Sequence, residues 1–583
     1  MTGTRQLRFG AYAPLCRFAA SACTEKSVHV WNHHGLGDIY AHNQLHALKG
    51  SNCNGKVGHG FLPSCYLRNS PSFTHAPPVI ISFTRRVFPA RLRSFDTQFS
   101  ATHRPYSNAS RKAMSTSTVR YKYIEEVEVL ENYRPGGYHP VQINDTLHHD
   151  RYQILHKLGH GTFSTAWRAL DRNSSTYVAV KFGTADADKD EVDILSRLAM
   201  TGTDETMIPR VLDCFTVNGP NGSHPCLVTT PTRCSLIDTK DSSDSGLFQL
   251  DVARSLAVQV IKAVAHVHSR GYANGDLHLG NLLLRLPASL NNLSIDQLYA
   301  KFGAPKLEPI ARLDGPVEPL PTGVPSSAVL PFWLGLPSDN ISLCDAKLLL
   351  SDLGVAFRPA DKTKCESNAP LVVRPPESYF EPTKPLTFES DIWSLSCLAF
   401  ELFAHRSLID GIIVPQDDIT AQQVHPQGIP PPEWWDKWDK RSKWFDNKGQ
   451  ALSNEQDIWS WGRRFRQWIQ EPRKSEGMET INSEEAAALL DLLKRMLAWK
   501  PENRPQAQQI LKSGWVKEWA LPAYNKTKRT PEVERACNFA YLRYMLVIER
   551  NDSKGLISLS AQLSIGQLAL SEPLHRVWGS ETL

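Results

Sequence analysis

The sequence contains no run of about 18 consecutive apolar residues, so nothing in it reads as a membrane-spanning helix. It has 11 cysteines but no Cys-x-x-Cys pair and no Cys/His spacing of the zinc-binding kind. Cys16, Cys23, Cys53 and Cys65 lie near the start; Cys214, Cys226, Cys234, Cys344, Cys365, Cys397 and Cys537 are scattered. That pattern suggests neither a disulfide framework nor a zinc module, and it fits a reducing compartment. With 34 Gly, 39 Pro and no short period, collagenous and coiled-coil designs are excluded too.

Acidic residues are scarce at one end only. Residues 1–113 carry 14 Lys and Arg against Glu25, Asp38 and Asp96, whereas the remainder holds 51 basic and 57 acidic residues. The net charge of +5 therefore hides a basic leader ahead of a mildly acidic body, and gives no reason to expect a nucleic-acid face. The leader is rich in Arg, Ser and His and lacks a sustained apolar period. It reads as disordered or absent from the mature protein, with organellar targeting as the alternative. Composition changes sharply at Met114, a candidate start.

Residues 114–151 form an extension that ends in the Pro/Gly-punctuated stretch Tyr133–Val141. From Tyr152, two β-rich runs across a polar turn at 171–175 predict an antiparallel hairpin. Residues 188–199 place Val192, Leu195 and Leu198/Ala199 on one helical face. A second helix is predicted over 251–269, with Asp251 as N-cap, Gly271 as its stop, and Leu256, Val260, Val264 and Val267 as its apolar stripe. A β-rich part (152–232) thus precedes a helical part (233–520), which the Pro-dotted segment 286–345 interrupts as an insert. Residues 521–583 form a tail without an assignment.

The residues that carry chemistry fall at element boundaries. Gly159-His160-Gly161-Thr162-Phe163-Ser164 occupies the first turn, where glycines let backbone N–H groups approach phosphates, although a tight turn wants glycine anyway. Lys181 lies on the following strand and would be an ordinary solvated lysine but for Glu191, ten residues on, early in the predicted helix. Such a pair would hold an ammonium against nucleotide phosphates. The strongest local signal is Asn274-Gly275-Asp276-Leu277-His278-Leu279-Gly280-Asn281, after an amphipathic helix and before an apolar strand. There Asp276 is placed to accept a hydrogen bond from an incoming hydroxyl, and Asn281 to turn back to a metal. Both residue types also favour plain turns. Leu349-Leu-Ser-Asp352-Leu-Gly354 ends a strand in a hard carboxylate suited to Mg2+. Each piece is common; their order in one chain is not.

With Gly136-Gly-Tyr138-His-Pro140, Lys157–Thr165, Asn218–Val228 and Asp352-Leu-Gly354, the stretch from Tyr133 to about Trp519 resembles a eukaryotic protein kinase, specifically the fungal branch of the SR-protein kinase family. The resemblance implies an α+β, bilobal fold with a β-rich N-lobe at 152–232 and a helical C-lobe at 233–520. It implies ATP and Mg2+ as cofactors and a Ser/Thr hydroxyl of an Arg/Ser-rich protein as substrate. Leu158, Gly159, His160, Gly161, Thr162, Phe163, Ser164, Ala166, Ala179 and Lys181 would then surround the nucleotide, with Thr229 as gatekeeper beside Thr230 and Thr232. Asp276 would accept the proton, assisted by Lys181, Glu191 and His278, while Asn281 and Asp352 would hold metal. Glu377, in Arg374-Pro-Pro-Glu377, and Arg504 would form a buried pair anchoring the substrate segment, and Asp391 would open a structural helix. Asp417, Asp418 and the acids among 433–457 match the family's docking region, although a solvated face also explains them.

Three departures bear on activity. Asn274 stands where the family has His, Gly275 replaces the Arg of phosphorylation-gated kinases, and His278 replaces a Lys. Without that Arg, little is left to pair with an activation-loop phosphate, which implies a constitutively folded loop. A catalytically weak pseudokinase scaffold is the competing reading, motivated by Asn274 and His278. A small-molecule phosphotransferase is a third, opposed by Asp391 and the Glu377/Arg504 pair. Trp434, Trp435, Trp438, Trp444, Trp459, Trp461 and Trp468 crowd one stretch and read as core packing rather than base-stacking platforms. A monomer without membrane or direct nucleic-acid contacts, resident in cytoplasm or nucleus, is expected.

Overall fold

The computed structural model describes residues 120–527 except 188–189, 200–206, 288–289, 291–292, 314–318, 412–413 and 453–457. The leader, Met114 and the tail from 528 onward lie outside the described residues.

Six antiparallel strands form the first sheet, in the order β1-β2-β3-β4-β6-β5. They are β1 (Thr146–Leu147), β2 (Tyr152–Gly161), β3 (Ser164–Asp171), β4 (Thr176–Gly183), β5 (Val211–Gly219) and β6 (Gly222–Thr229). The run before the polar turn is two strands, β2 and β3, folded back at Thr162-Phe163 within the glycine turn. On β4 the alternation separates two faces: Val178, Val180 and Phe182 pack with Ile154, Trp167, Cys226 and Val228, which leaves Ala179 and Lys181 on the opposite side. Helix α1 (Asp190–Leu198) buries Ile194, Leu195 and Leu198. Ala199, expected on that stripe, is exposed beyond the helix end, and Ile194 fills the face instead.

The helical part centres on α2 (Leu250–Ser269), whose Leu256, Val260, Val264 and Val267 are fully buried, as the 3.6-residue period requires. Asp251 is not its N-cap. Gln249 occupies that position, and Asp251 sits in the first turn, where it pairs with Arg254 and Lys526. Helix α4 (Phe388–Phe403, following α3, Ile295–Phe302, in the insert) likewise starts three residues before Asp391, with Thr387 as N-cap, whose N–H donates to Ser390 Oγ at 3.3 Å. Further on come α5 (Gln416–Gln427), α6 (Ser483–Met496) and α7 (Leu521–Lys526), and α7 packs on α2. The described chain thus continues in regular structure past residue 520. No described helix is long and apolar enough to cross a membrane.

A second sheet, ordered β11-β8-β7, joins β7 (Thr232–Ser235), β8 (Leu282–Arg285) and β11 (Leu348–Leu350). Leu282 pairs with Leu350, so Asn281, just before β8, and Asp352, just after β11, emerge from the same end. The insert between them contains α3 (Ile295–Phe302) and a small ribbon of β9 (Leu307–Pro309) and β10 (Ser327–Val329). Its Val324 and Ala328 pack with Tyr121, Val127, Leu130, Tyr133 and Tyr138 of the extension into a separate apolar cluster. Phe332 donates its N–H to the Lys157 carbonyl, while the buried Lys157 ammonium pairs with Glu128. Extension and insert are thereby built onto the first sheet. Trp434, Trp435 and Trp438 form another cluster with Phe380 and Phe445, and Trp461 and Trp468 are buried against Phe400. Trp444 and Trp459 pack at the margins of these groups, so the stretch is core.

Candidate active site

Lys181 projects from β4 and lies 3.0 and 2.8 Å from the two carboxylate oxygens of Glu191 on α1, and 2.8 Å from Asp352 Oδ1. The strand-to-helix connection brings the first pair together; the end of β11 brings the third group in. Burial works against the ammonium's charge, but Glu191 and Asp352 outweigh it and raise its pKa. For Asp352, desolvation by the surrounding protein pulls upward, and Lys181 with His278 brings the carboxyl below its ordinary value. Asp352 has φ 54°, in the left-handed region that Asp tolerates better than most side chains.

The segment after α2 is held by Asp391. Its carboxylate accepts the N–H groups of Asn274 (2.7 Å) and Gly275 (2.9 Å), and His268 Nε2 lies 2.9 Å away. Asn274 is fully buried, and its Oδ1 accepts the Asp276 N–H at 2.9 Å, an Asx turn that shapes the loop from within. Gly275 has φ 77°, and a Cβ there would meet the Phe357 ring at 3.2 Å. Phe357 exchanges two backbone hydrogen bonds with Ala273, which ties the segment after Asp352 to this loop.

Asp276 and Asn281 meet. Asn281 Nδ2 donates to the Asp276 backbone carbonyl at 3.0 Å and approaches its carboxylate at 3.4 Å, which leaves the Asn281 amide oxygen for a cation. Asp276 is pushed up to about 7, first by burial and then by the charge of Asp352, against Asn281, Arg374 and Lys364. A carboxyl so placed is matched to proton transfer near neutrality. His278 Nδ1 accepts the Gly280 N–H at 3.1 Å, so the neutral ring carries its proton on Nε2, 3.7 Å from Asp276 Oδ1. Gly280 is required by this arrangement, since a Cβ would come within 2.8 Å of the imidazole. Burial lowers the His278 pKa, with Asp352 opposing.

On the sheet, Gly159, Ala166 and Lys181 stand in cross-strand register, and Ala179 pairs with Thr229. The small Ala166 and Ala179 share the face of Lys181. Leu158 and His160 flank Gly159 on β2, and His160 also feels the charge of Glu128 on the extension. Thr162 and Phe163 make the tip, where Phe163 is exposed, and Ser164 opens β3. A Cβ on Gly159 or Gly161 would touch no protein atom, so packing alone does not demand glycine there. Thr230 lies between β6 and β7, and Thr232 opens β7; Pro231 between them has a carbonyl but no N–H.

Arg504 meets Glu377 through two buried hydrogen bonds. Sequence reasoning missed the support of Asp391 by His268, the Asx turn of Asn274, and Tyr138, whose hydroxyl reaches the Gly161 carbonyl at 2.7 Å. Asp417 accepts from Trp438 Nε1 and Lys440, and so is engaged within the fold.

The donor set fits a nucleotide with Mg2+. Asp352 and Asn281 offer two hard oxygens, the number suited to an ion held otherwise by phosphates and water, and Lys181 is an ammonium beside them.

The protein kinase domain family matches residues 152–293 and 336–516, over half of the chain. A serine/threonine protein kinase of Aspergillus fumigatus is 25% identical over 407 residues, covering 67% of this chain and 90% of that relative. The serine/threonine-protein kinase SRPK of Physarum polycephalum is 26% identical over 422 residues (67% and 91%). Protein kinase dsk1 of Schizosaccharomyces pombe is 24% identical over 479 residues (68% and 86%). The chain belongs to the eukaryotic protein kinases, as a serine/threonine kinase, and among them it resembles the SR-protein kinases.

Proposed function

We propose that this kinase is catalytically competent and transfers the γ-phosphate of ATP to Ser or Thr hydroxyls of Arg/Ser-rich proteins. The observation that carries the reading is the joint geometry of Lys181, Glu191 and Asp352 on one side and Asp276 with Asn281 on the other.

In this reading Lys181, steadied by Glu191, receives the nucleotide phosphates. Asp276 accepts the hydrogen bond of the substrate hydroxyl and takes up its proton as the hydroxyl oxygen bonds to the γ-phosphorus and the bond from that phosphorus to the bridging oxygen breaks, with ADP leaving. His278, with its proton on Nε2, donates to the developing negative charge in place of a lysine. Bound Mg2+, held by Asp352 and Asn281, would neutralise phosphate charge. The acidic balance of residues 114–583 suits an arginine-rich substrate, as does the name of the Physarum relative.

The test is transfer of labelled phosphate by the full chain to an Arg/Ser peptide and to the same peptide with Ala for Arg, beside Asp276→Ala. Transfer to the first peptide, lost by at least about 10²-fold in the variant, is expected. Equal background in both proteins would sink competence; equal rates on both peptides would sink the Arg/Ser preference.

A further inference from the structure

The Gly136-Gly137-Tyr138 turn plays no part in the chemistry above, yet it reaches the Gly-rich hairpin. The Tyr138 hydroxyl lies 2.7 Å from the Gly161 carbonyl and 3.2 Å from that of Thr162, while the ring is buried. Tyr138 itself is firmly placed. Its N–H donates to Asn132 O and its carbonyl accepts Asn221 Nδ2, which also donates to Gly323 O of the insert. Gly136 and Gly137 accept the N–H groups of Asp186 and Ala185, just past β4. Gly137 has no substitute, because a Cβ would fall 1.8 Å from Asn132 O.

We infer that Tyr138 is a positioning residue for the nucleotide phosphates, acting through the hairpin backbone; the inference rests on the nucleotide reading of this site. Each peptide is planar and trans, so its C=O and N–H point in opposite directions. Drawing the Gly161 and Thr162 carbonyls toward Tyr138 turns the N–H groups of Thr162 and Phe163 away from it. The third tip carbonyl, that of Phe163, accepts the Thr184 N–H at 2.9 Å. The single Tyr138 hydroxyl proton, shared between the Gly161 carbonyl at 2.7 Å and the Thr162 carbonyl at 3.2 Å, and the Thr184 N–H thereby hold the carbonyls of the turn, and the N–H groups of Thr162 and Phe163 are left as a fixed donor set for an anion. The glycines make this hold necessary, since Gly159 and Gly161 bring no side-chain packing to steady the loop.

Tyr138→Phe removes the latch and keeps the ring. Affinities of the full chain for Mg-ATP and for adenosine, which lacks phosphates, are measured by calorimetry, and amide exchange is followed at residues 159–165. The variant is expected to weaken ATP about three- to tenfold, keep adenosine within about twofold, and exchange faster at the hairpin tip. Tyr133→Phe removes a hydroxyl from the same cluster that bonds Glu128 and not the hairpin, and is expected to keep ATP affinity. Unchanged ATP affinity in Tyr138→Phe, equal loss of both probes, or an equal ATP loss in Tyr133→Phe would overturn the latch. A parent chain that binds adenosine and ATP equally would instead overturn the phosphate role of the hairpin itself, and the latch with it.

Discussion

Arg504 meets Glu377 as a fork, Nη1 to Oε1 at 2.8 Å and Nη2 to Oε2 at 2.7 Å, with both side chains out of solvent. The remaining donors are used too, on the carbonyls of Ala498, Glu389 and Trp499, and Ser390 donates to Glu377. Removing one partner leaves a buried charge alone. Arg504→Ala is therefore expected to cost about 3–5 kcal/mol in urea unfolding. Arg504→Lys recovers little, because a single ammonium cannot replace the planar fork. A variant as stable as its parent would show that the pair contributes nothing net.

His278 and Gly280 act as one unit. The ring sits where it does because Gly280 has no Cβ, and its Nε2 proton is set by the Gly280 N–H on the other nitrogen. His278→Ala should lower kcat by about 10²–10³ while the KM for ATP changes little, as expected for a donor that works in the transition state. Gly280→Ala, which forces the ring aside, should lower kcat in the same direction. Steady-state kinetics with a Ser/Arg peptide checks both. If Gly280→Ala is fully active, the ring position does not matter and His278 is not the donor.

The placement of the proposed site was legible because its residues lie on or shortly after elements whose period is plain in the sequence. Lys181 lies within an apolar alternation, Asp276 follows a helical stripe, and Asp352 comes just after a three-leucine strand. The supports were not legible. Tyr138 and Gly161 are 23 positions apart, while Tyr133 and Val324 share a cluster across nearly the whole N-lobe and insert. Such contacts leave no periodic trace. Asp251 misled for a different reason: an Asp before an apolar stripe looks like a cap, but its partners Arg254 and Lys526 draw it into the first turn, and Lys526 is remote in sequence.

Gly275 provides a test of why the loop lacks a bulky residue. At φ 77°, and with the Phe357 ring 3.2 Å from where a Cβ would stand, even alanine is strained twice. Gly275→Ala should cost about 1–3 kcal/mol in unfolding free energy and lower kcat, since Asp276 is the next residue. Thermal melting together with kinetics decides it: an unchanged melting temperature would mean the backbone relaxes freely and the glycine is incidental.

Acid should loosen the junction between sheet and insert. His156 is fully buried, stacked on Phe332 at 4.0 Å and met edge-on by Tyr299 at 5.0 Å. Burial first, then the charge of Arg168, pushes its pKa down to about 4, against the pull of the Gly303 backbone. The folded form thus keeps the ring neutral. An unfolded chain, with an ordinary imidazole near 6.5, already binds a proton where the folded one does not, so stability complete above that value falls as pH drops toward 4. At pH 5 this one ring should account for about 2 kcal/mol of lost stability relative to pH 7.5. In urea unfolding at the two pH values, His156→Leu is expected to reduce the difference by about that amount. An undiminished pH dependence in the variant would place the acid sensitivity elsewhere, because the substitution takes away this proton site and leaves an apolar side chain between the same two rings.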